Sequence, residues 1–305
     1  MKCLIIVNGY NYSLSQVYKV RRLKEEFSKY NVEVIEKSTI DITSSFEDGK
    51  VCVKDIEQYS FCIFLDKDKY LSYAIEKYIP LINNAKAIEV CDDKMLTYTF
   101  LNNLGIKTPK TIPAPLCYDP DPDPEYLIKW VKKVESELSF PIVVKECYGS
   151  LGKQVYLAKN HKELYNIAYD LIHVPHVYQE FISSSKGHDV RMFTVGGKLV
   201  AAMERINPND FRSNIALGGH GTNFVPSKDF IDMAEKVSKA ISLDYAGIDI
   251  MFGPNYEPIL TEVNSNAFFT EIEKVSGVNI TKLLVEHILS LSLIHISEPT
   301  RHWAI

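Results

Sequence analysis

The sequence lacks the features that announce several common function classes. No run approaches the ~18 apolar residues that a membrane span needs, so no membrane association is expected. The opening Met1-Lys-Cys-Leu-Ile-Ile-Val7 passes too soon into polar residues to read as a secretory leader, and the expected location is the cytoplasm. Six cysteines (Cys3, Cys52, Cys62, Cys91, Cys117 and Cys147) form no C-x-x-C pair, which argues against a zinc site or a disulfide framework. Cys147 could be a reactive thiol close to Lys145, or a core residue at a strand end, and the second reading fits its apolar neighbours better. The dinucleotide fingerprint G-x-G-x-x-G is missing, as are the Walker A loop and any Ser-His or Cys-His nucleophile signature. A net charge of −5 leaves no basic excess for a general nucleic-acid or anionic-membrane binder. There is no internal repeat.

What remains is a globular composition, 46% hydrophobic and 24% charged over 305 residues, enough for two or three packed units. Leu4–Val7, Val32–Ile35, Phe61–Leu65 and Ala87–Val90 read as strands, with a helical stripe at Val17, Val20, Leu23 and Phe27 between the first two. That is the βαβ pattern of a parallel sheet. Asn8-Gly9-Tyr-Asn11 follows the first strand, where open α/β sheets bind ligands. Asp92-Asp93 caps a helix from Lys94 to Leu104. The proline-rich stretch from Pro113 to Pro124 is a loop; its interleaved Asp119, Asp121 and Asp123 do not have calcium-loop spacing.

Further on, strands at Ile142–Lys145 and Gln154–Leu157 flank a glycine turn, and His161–Ile172 and Val177–Phe181 read as helix and strand. Val190–Val195 and Lys198–Arg205 pair about Gly196-Gly197, and Lys228–Ile241 is an amphipathic helix. Tyr245–Phe252 and Pro258–Asn264 form a last hairpin, and a helix at Ile280–Leu291 should close the domain. The following Leu293-Ile-His-Ile-Ser-Glu-Pro-Thr-Arg301 continues no pattern and looks like translated sequencing-adaptor sequence. Residues 292–305 are therefore expected to be non-native and to carry no inference.

The last hairpin carries the sharpest chemistry. Glu262 and Asn264 lie two apart on one strand and share a face, and Asp249 on the partner strand can join them. Three hard oxygen donors with incomplete coordination suit Mg²⁺ or Mn²⁺ shared with nucleotide phosphates, against the plainer alternative of a carboxylate cluster. Gly149-Ser150-Leu-Gly152-Lys153 could turn backbone N–H groups and a hydroxyl toward phosphate, although alone it fits a tight hairpin better. Lys145, held among valines, needs an anionic partner, a phosphate or a structural acid. Gln179-Glu180-Phe181-Ile182 could serve an adenine and a ribose or be an edge strand. Asp189 and Arg191 could be a cross-strand ion pair. Arg205, Arg212, Ser213 and Asn214, with the glycines around His220, suit a transferring phosphoryl group. His220 itself fits a solvated loop position better than a base.

Taken in order, Asp-Asp-Lys94, Val-Val-Lys145, Gly-Ser-x-Gly, Gln-Glu-Phe-Ile, Asp189-x-Arg191, Asp-Phe-Arg-Ser-Asn214, Gly-Ile-Asp249 and Glu262-Val-Asn264 resemble the ATP-grasp ligases, most closely the RimK-type glutamate ligase group. The resemblance covers roughly residues 90–290. It implies an α/β and α+β chain: an N-terminal parallel α/β pre-ATP-grasp unit (1–91) followed by a two-lobed ATP-grasp fold with a central subdomain (92–182) and a C-terminal one (183–291). It implies ATP contacts from Lys94, Lys145, Gly149, Ser150, Glu180, Phe181, Asp189, Arg212, Ser213 and Asn214. Asp249, Glu262 and Asn264 would bind two Mg²⁺ or Mn²⁺ ions, with Arg205 and Arg212 neutralising charge during catalysis.

The implied activity joins a carboxylate to an amine through an acyl phosphate, adding an amino acid such as glutamate to a small-molecule, peptide or protein acceptor. A nucleotide-binding protein of the same fold without turnover is the alternative, and a homo-oligomer is left open. The group commonly follows Glu-Val-Asn with a small-Ser-Pro-Gly turn. Here Ser265-Asn266-Ala267-Phe268-Phe269 stands instead, so addition to a ribosomal-protein tail does not follow.

Overall fold

The computed structural model describes residues 1–297, with side chains through residue 291. Strand β1 (Lys2–Val7) leads through helix α1 (Leu14–Ser28) to β2 (Glu33–Ser38), then a small hairpin, β3 (Ser44–Glu47) and β4 (Lys50–Val53), and β5 (Phe61–Leu65). Helix α2 (Lys69–Glu76), the short β6 (Leu81–Ile82) and helix α3 (Ala85–Asp92) complete this part. The sheet order β2-β1-β5-β6 is parallel throughout, as the strand–helix alternation leads one to expect. Ser13 starts α1 by accepting a bond from the Gln16 amide, and the helix buries Val20, Leu23 and Phe27 against the sheet. One expectation fails here. Ala87–Val90 is not a fourth strand but the middle of α3, which Asn84 caps by accepting from the Ala87 amide. Its buried positions, Ala85, Ala87, Ile88, Val90 and Cys91, have helical spacing once the window is widened.

Helix α4 (Lys94–Phe100) and β7 (Thr111–Pro113) precede α5 (Pro124–Glu137), β8 (Ile142–Glu146), β9 (Val155–Ala158), α6 (His161–Asp170) and β10 (His176–Glu180). These strands form an antiparallel sheet in the order β7-β10-β8-β9, its apolar face covered by α5 and α6. The last sheet, β13-β12-β11-β14-β15, is also antiparallel and comprises β11 (His188–Val195), β12 (Lys198–Ile206), β13 (His220–Asn223), β14 (Tyr245–Phe252) and β15 (Pro258–Asn264). Helix α7 (Lys228–Ala240) packs on one face of it, against Val190, Met192, Ile248 and Ile250. Helices α8 (Thr270–Ser276) and α9 (Ile280–Ser297) follow. The expected adaptor-like tail begins at residue 292, and residues 298–305 lie outside the described residues. No described helix is long and apolar enough to cross a membrane.

The other face of the five-stranded sheet changes character along its strands. At one end Phe193, Val195, Ala201, Met203 and Tyr245 join Cys3, Ile5, Val7 and Leu65 of the first sheet in a single apolar cluster. At the other end the same face carries Asp189, Arg191, Arg205 and Asp249. Period-two alternation puts both sets on one surface, so the apolar end anchors the charged end against the N-terminal unit. Lys19 of α1 crosses this junction. Its ammonium is fully buried and donates to the Tyr245 hydroxyl (3.1 Å), Asn266 Oδ1 (2.9 Å) and the Ala267 carbonyl (3.0 Å). With no carboxylate paired to it among the described residues, burial holds the Lys19 pKa well below that of an ordinary lysine.

Candidate functional site: a charged cleft between two antiparallel sheets

The cleft is assembled from both antiparallel sheets and the loops between them. Lys94 opens α4, whose first amides donate to Asp93 Oδ1 at 2.9 and 3.1 Å. The cap turns the Lys94 side chain inward, where Nζ meets the Cys147 carbonyl (3.4 Å) and Glu262 Oε1 (3.7 Å). Lys145 comes from β8 and donates to Thr261 Oγ1 at 3.2 Å. Burial pushes its ammonium pKa down to about 8, more than nearby Glu262 raises it. Thr261 sits at an irregularity in the β14–β15 pairing between Asp249 and Ile250, and that bulge re-aims it into the cleft. Cys147 lies deep in the wall, with burial raising its thiol to about 11, so the core reading of this cysteine fits.

The glycine segment folds over this floor and is held from the loop after β12. Arg212 Nη1 donates to the carbonyls of Gly152 (2.8 Å) and Val155 (3.2 Å), while Arg212 Nη2 meets Asp210 Oδ2 at 2.8 Å. Gly152 has φ +74°, and a Cβ there would stand 2.5 Å from Asn214 Oδ1, so only glycine fits beneath that asparagine. Ser150 donates its backbone amide to Gln154 Oε1. At the far end Glu180 Oε1 accepts from the Lys110 amide (2.9 Å), and Phe181 meets Phe211 edge-on with ring centres 6.4 Å apart.

The charged end of the five-stranded sheet forms the inner wall. Arg205 donates to both oxygens of Asp189 directly across the β11–β12 pair. Its Nη2 also lies 3.0 Å from Asp249 Oδ2. Arg191, opposite Asp249 across β11–β14, donates to both of its oxygens at 2.7 Å. The cross-strand ion-pair reading of Asp189 and Arg191 therefore holds, with partners one strand further on. Burial opposes the charges of Arg205 and Asp249, yet their mutual attraction wins. The Arg205 pKa is held above its usual value and that of Asp249 below the usual carboxylate range.

Glu262 faces Asp249 across β14–β15, and Asn264 faces Gly247 two residues on. A Cβ at Gly247 would sit 2.6 Å from the Ala267 side chain, so this glycine lets the loop after Asn264 close onto the sheet. A hard cation fits this donor set. Among the described residues the Glu262 carboxylate makes no hydrogen bond and meets Lys94 only at 3.7 Å, so its oxygens are available to a cation. Asp249 is more committed: of its roughly four lone-pair positions, the two arginines occupy three.

Of the residues singled out from sequence, Lys94, Lys145, Gly149, Ser150, Glu180, Phe181, Asp189, Arg205, Arg212, Ser213, Asn214, Asp249 and Glu262 all line this one cleft. Asn264 does not. It lines a second cavity, between the N-terminal unit and the Ser265–Phe269 segment, which shares Ser150, Arg205, Asn214 and Glu262 with the first. Asn8 and Asn11 line it too, at the strand end where a ligand position is expected. His220 is exposed on β13 and borders neither cavity. Sequence reasoning missed Thr261, whose placement depends on the bulge, and Asp66 and Lys67, which follow β5 in the second cavity.

Two joined cavities lie under a glycine segment, floored by buried lysines and walled by carboxylates, an arrangement suited to an anionic ligand. Comparison with known proteins narrows the reading. Residues 91–288 match the family described as RimK-like ATP-grasp domain, and the chain belongs to that family. It is 29% identical over 228 residues to the uncharacterized protein MG012 of Mycoplasma genitalium, covering 74% of this chain and 79% of that one. It is 33% identical over 210 residues to a probable alpha-L-glutamate ligase of Legionella pneumophila (strain Corby), covering 68% and 66%. Among solved structures, the ATP-grasp ligase PsnB in complex with a precursor variant, Mg and ADP superposes with a TM-score of 0.64 at 17% identity, over 94% of this chain and 97% of that one. At that identity the likeness concerns the fold, which is mixed α/β as the sequence suggests.

Proposed function

We propose that this chain is an ATP-dependent carboxylate–amine ligase that works through an acyl phosphate. The observation that carries the reading is the junction of the two cavities at Ser150, Arg205, Asn214 and Glu262. A nucleotide lying in the first cavity along Lys94, Lys145 and the glycine flap would present its terminal phosphate to whatever occupies the second. The named ligase relative and the ATP-grasp family support the same direction.

In the proposed reaction a substrate carboxylate oxygen attacks the γ-phosphorus and ADP leaves. The amine of the second substrate, having lost its proton, then attacks the acyl carbon and expels phosphate, leaving an amide. Lys145 and Lys94 hold the phosphate oxygens, and Arg212 pins the flap that keeps water away from the acyl phosphate. Arg205, locked between two carboxylates, orients Asp189 and Asp249 rather than moving during the reaction. Glu262 and Asn264, with the remaining lone pair of Asp249, would hold Mg²⁺ or Mn²⁺, which supplies charge neutralisation on the phosphates when bound. No protein nucleophile is needed. An amino acid such as glutamate and a small-molecule, peptide or protein acceptor are the proposed substrates.

The test is ADP release with Mg²⁺ and pools of amino acids and short peptides. At least one pool is expected to raise it above the rate with ATP alone. If ATP binds with Mg²⁺ and no pool stimulates ADP formation, the non-turnover reading replaces this one.

The pKa of Lys145 gives a second, pH-resolved expectation. In the free protein it is lowered from 10.5 to about 8. Between those values the unfolded chain binds a proton that the folded one does not, so this group adds stability as pH rises through that window. A bound phosphate reverses the sign by favouring the ammonium. Affinity for a non-hydrolysable ATP analogue, measured by calorimetry, is therefore expected to fall as pH rises above about 8, with proton uptake on binding. The loss should reach about tenfold when the ammonium contact is gone. A flat profile would remove Lys145 from the phosphate site.

A further inference from the structure

Three buried polar atoms without a hydrogen-bond partner among the described residues border the second cavity: Asp66 Oδ2, Asn264 Nδ2 and Thr270 Oγ1. A fourth, on Trp130, borders neither cavity. Native interiors leave few such atoms unsatisfied, and several on residues lining one space suit a polar occupant.

Asp66 is the most constrained of them. It follows the last residue of β5, at the carboxyl end of the parallel sheet, and is 7% exposed. Its Oδ1 accepts the backbone amides of Lys67 (2.6 Å) and Asp68 (2.9 Å), which fixes the carboxylate plane and leaves Oδ2 unpartnered. Every cation bordering the cavity is engaged elsewhere. Lys67 turns to Asp92 at 2.7 Å, Arg191 is spent on Asp249, and Arg205 is shared between Asp189 and Asp249. A second carboxylate, Glu271, borders the same space, with an exposed Lys274 3.8 Å away as its ion-pair partner. Unlike Glu271, Asp66 has no ion-pair partner among the described residues. A buried carboxylate with one free oxygen is matched by an N–H donor that carries positive charge.

We propose that Asp66 binds a substrate ammonium group, so that the second cavity takes a carboxylate-bearing substrate with a free amine, an unblocked amino acid or short peptide. The proposal rests on the ligase reading, since it treats this cavity as the substrate side. A protonated amine cannot attack an acyl phosphate. The anchored ammonium therefore belongs to the acid partner and serves to position its carboxylate toward the shared wall at Glu262. Acylated amines and simple dicarboxylates are disfavoured by the same uncompensated charge.

The test is direct binding to the full chain loaded with AMPPNP and Mg²⁺, using the common amino acids and glycine, alanine and glutamate dipeptides, each beside its N-acetyl form. At least one unblocked compound is expected to raise the melting temperature while its acetylated form does not. Asp66→Asn keeps the Oδ1 acceptor for the 66–68 turn. It should weaken that compound by about tenfold and leave AMPPNP affinity unchanged. Equal binding of free and acetylated forms, native-like binding by Asp66→Asn, or no binding by any unblocked compound would each overturn the assignment. The comparison of free and acetylated forms on the native chain decides the matter even if the variant folds poorly. Failure of AMPPNP–Mg²⁺ to bind the native chain would instead overturn the nucleotide reading beneath it, and the same titration shows which has failed.

Discussion

Glu262→Gln is expected to remove about 10²–10³-fold of the turnover, the usual loss when one preorganised electrostatic partner of a transition state is deleted, while the fold stays intact. Two features of the site separate these effects. The Glu262 carboxylate makes no hydrogen bond among the described residues, and its ion pair with Lys94 is long, at 3.7 Å. Such a loose pair contributes at most about 1 kcal/mol, so urea denaturation should barely change. The same carboxylate borders both cavities, so any cation between nucleotide and substrate falls within its reach. Combined with Asp249→Asn, turnover should vanish. Measured ADP release that persists at native rates in the double variant would sink the cation assignment, and with it the part of the mechanism that relies on charge neutralisation by a metal.

Arg205→Met should do the opposite and act first on stability. The guanidinium is 3% exposed and bridges Asp189 and Asp249. Methionine matches the stem but leaves Asp189 without its two-pronged partner, whereas Asp249 keeps Arg191. Breaking one side of a buried ion pair typically costs about 3–5 kcal/mol, because a desolvated charge is left behind. The expected reading is a large fall in the urea midpoint with an unchanged slope. Adding Asp189→Leu should recover most of that loss without restoring activity, since an apolar pair of similar volume is often neutral. If Arg205→Met is as stable as the native chain, the buried network does not hold the inner wall together, and Arg205 would have to be reconsidered as a group that moves to the substrate.

Much of this site was readable because its chemistry lies on regular strands. Asp249, Glu262 and Asn264 could be placed on one face by counting in twos, and the Gly196-Gly197 turn and the short gap between Phe252 and Pro258 fixed which strands pair. Lys145 was conspicuous as a charge among valines. The order of motifs then tied these points to a family that residues 91–288 match. The failures have physical causes. The four apolar residues Ala87–Val90 fit a strand as well as a helix, and the deciding signal was the cap at Asn84 just outside that window. The β3–β4 hairpin has a recognised turn pair in Asp48-Gly49, yet its strands are only four residues long and β3 is mostly exposed, so no periodic signal marks them. Thr261 reaches the cleft only through a bulge, and no spacing rule reveals a bulge. Asp66 looked like any polar residue after a strand. Its free oxygen becomes apparent only when the partners of every neighbouring cation are known.

The buried Lys19 has a consequence for how far the parts of this chain can be exchanged. Its ammonium is the donor that satisfies Asn266 and the Ala267 carbonyl, in the segment where the sequence departs from its group. The helix that supplies it belongs to the first sheet. The apolar cluster beside it mixes Ile5 and Leu23 with Phe193 and Phe269. The wall of the second cavity around Asn266 and Ala267 is thus built jointly by α1 and the segment after Asn264. Transplanting residues 92–291 onto another N-terminal unit would carry the first cleft across but leave the segment after Asn264 without its internal prop. Changes in substrate preference within such chains should accordingly arise as paired substitutions, one in α1 and one after Asn264.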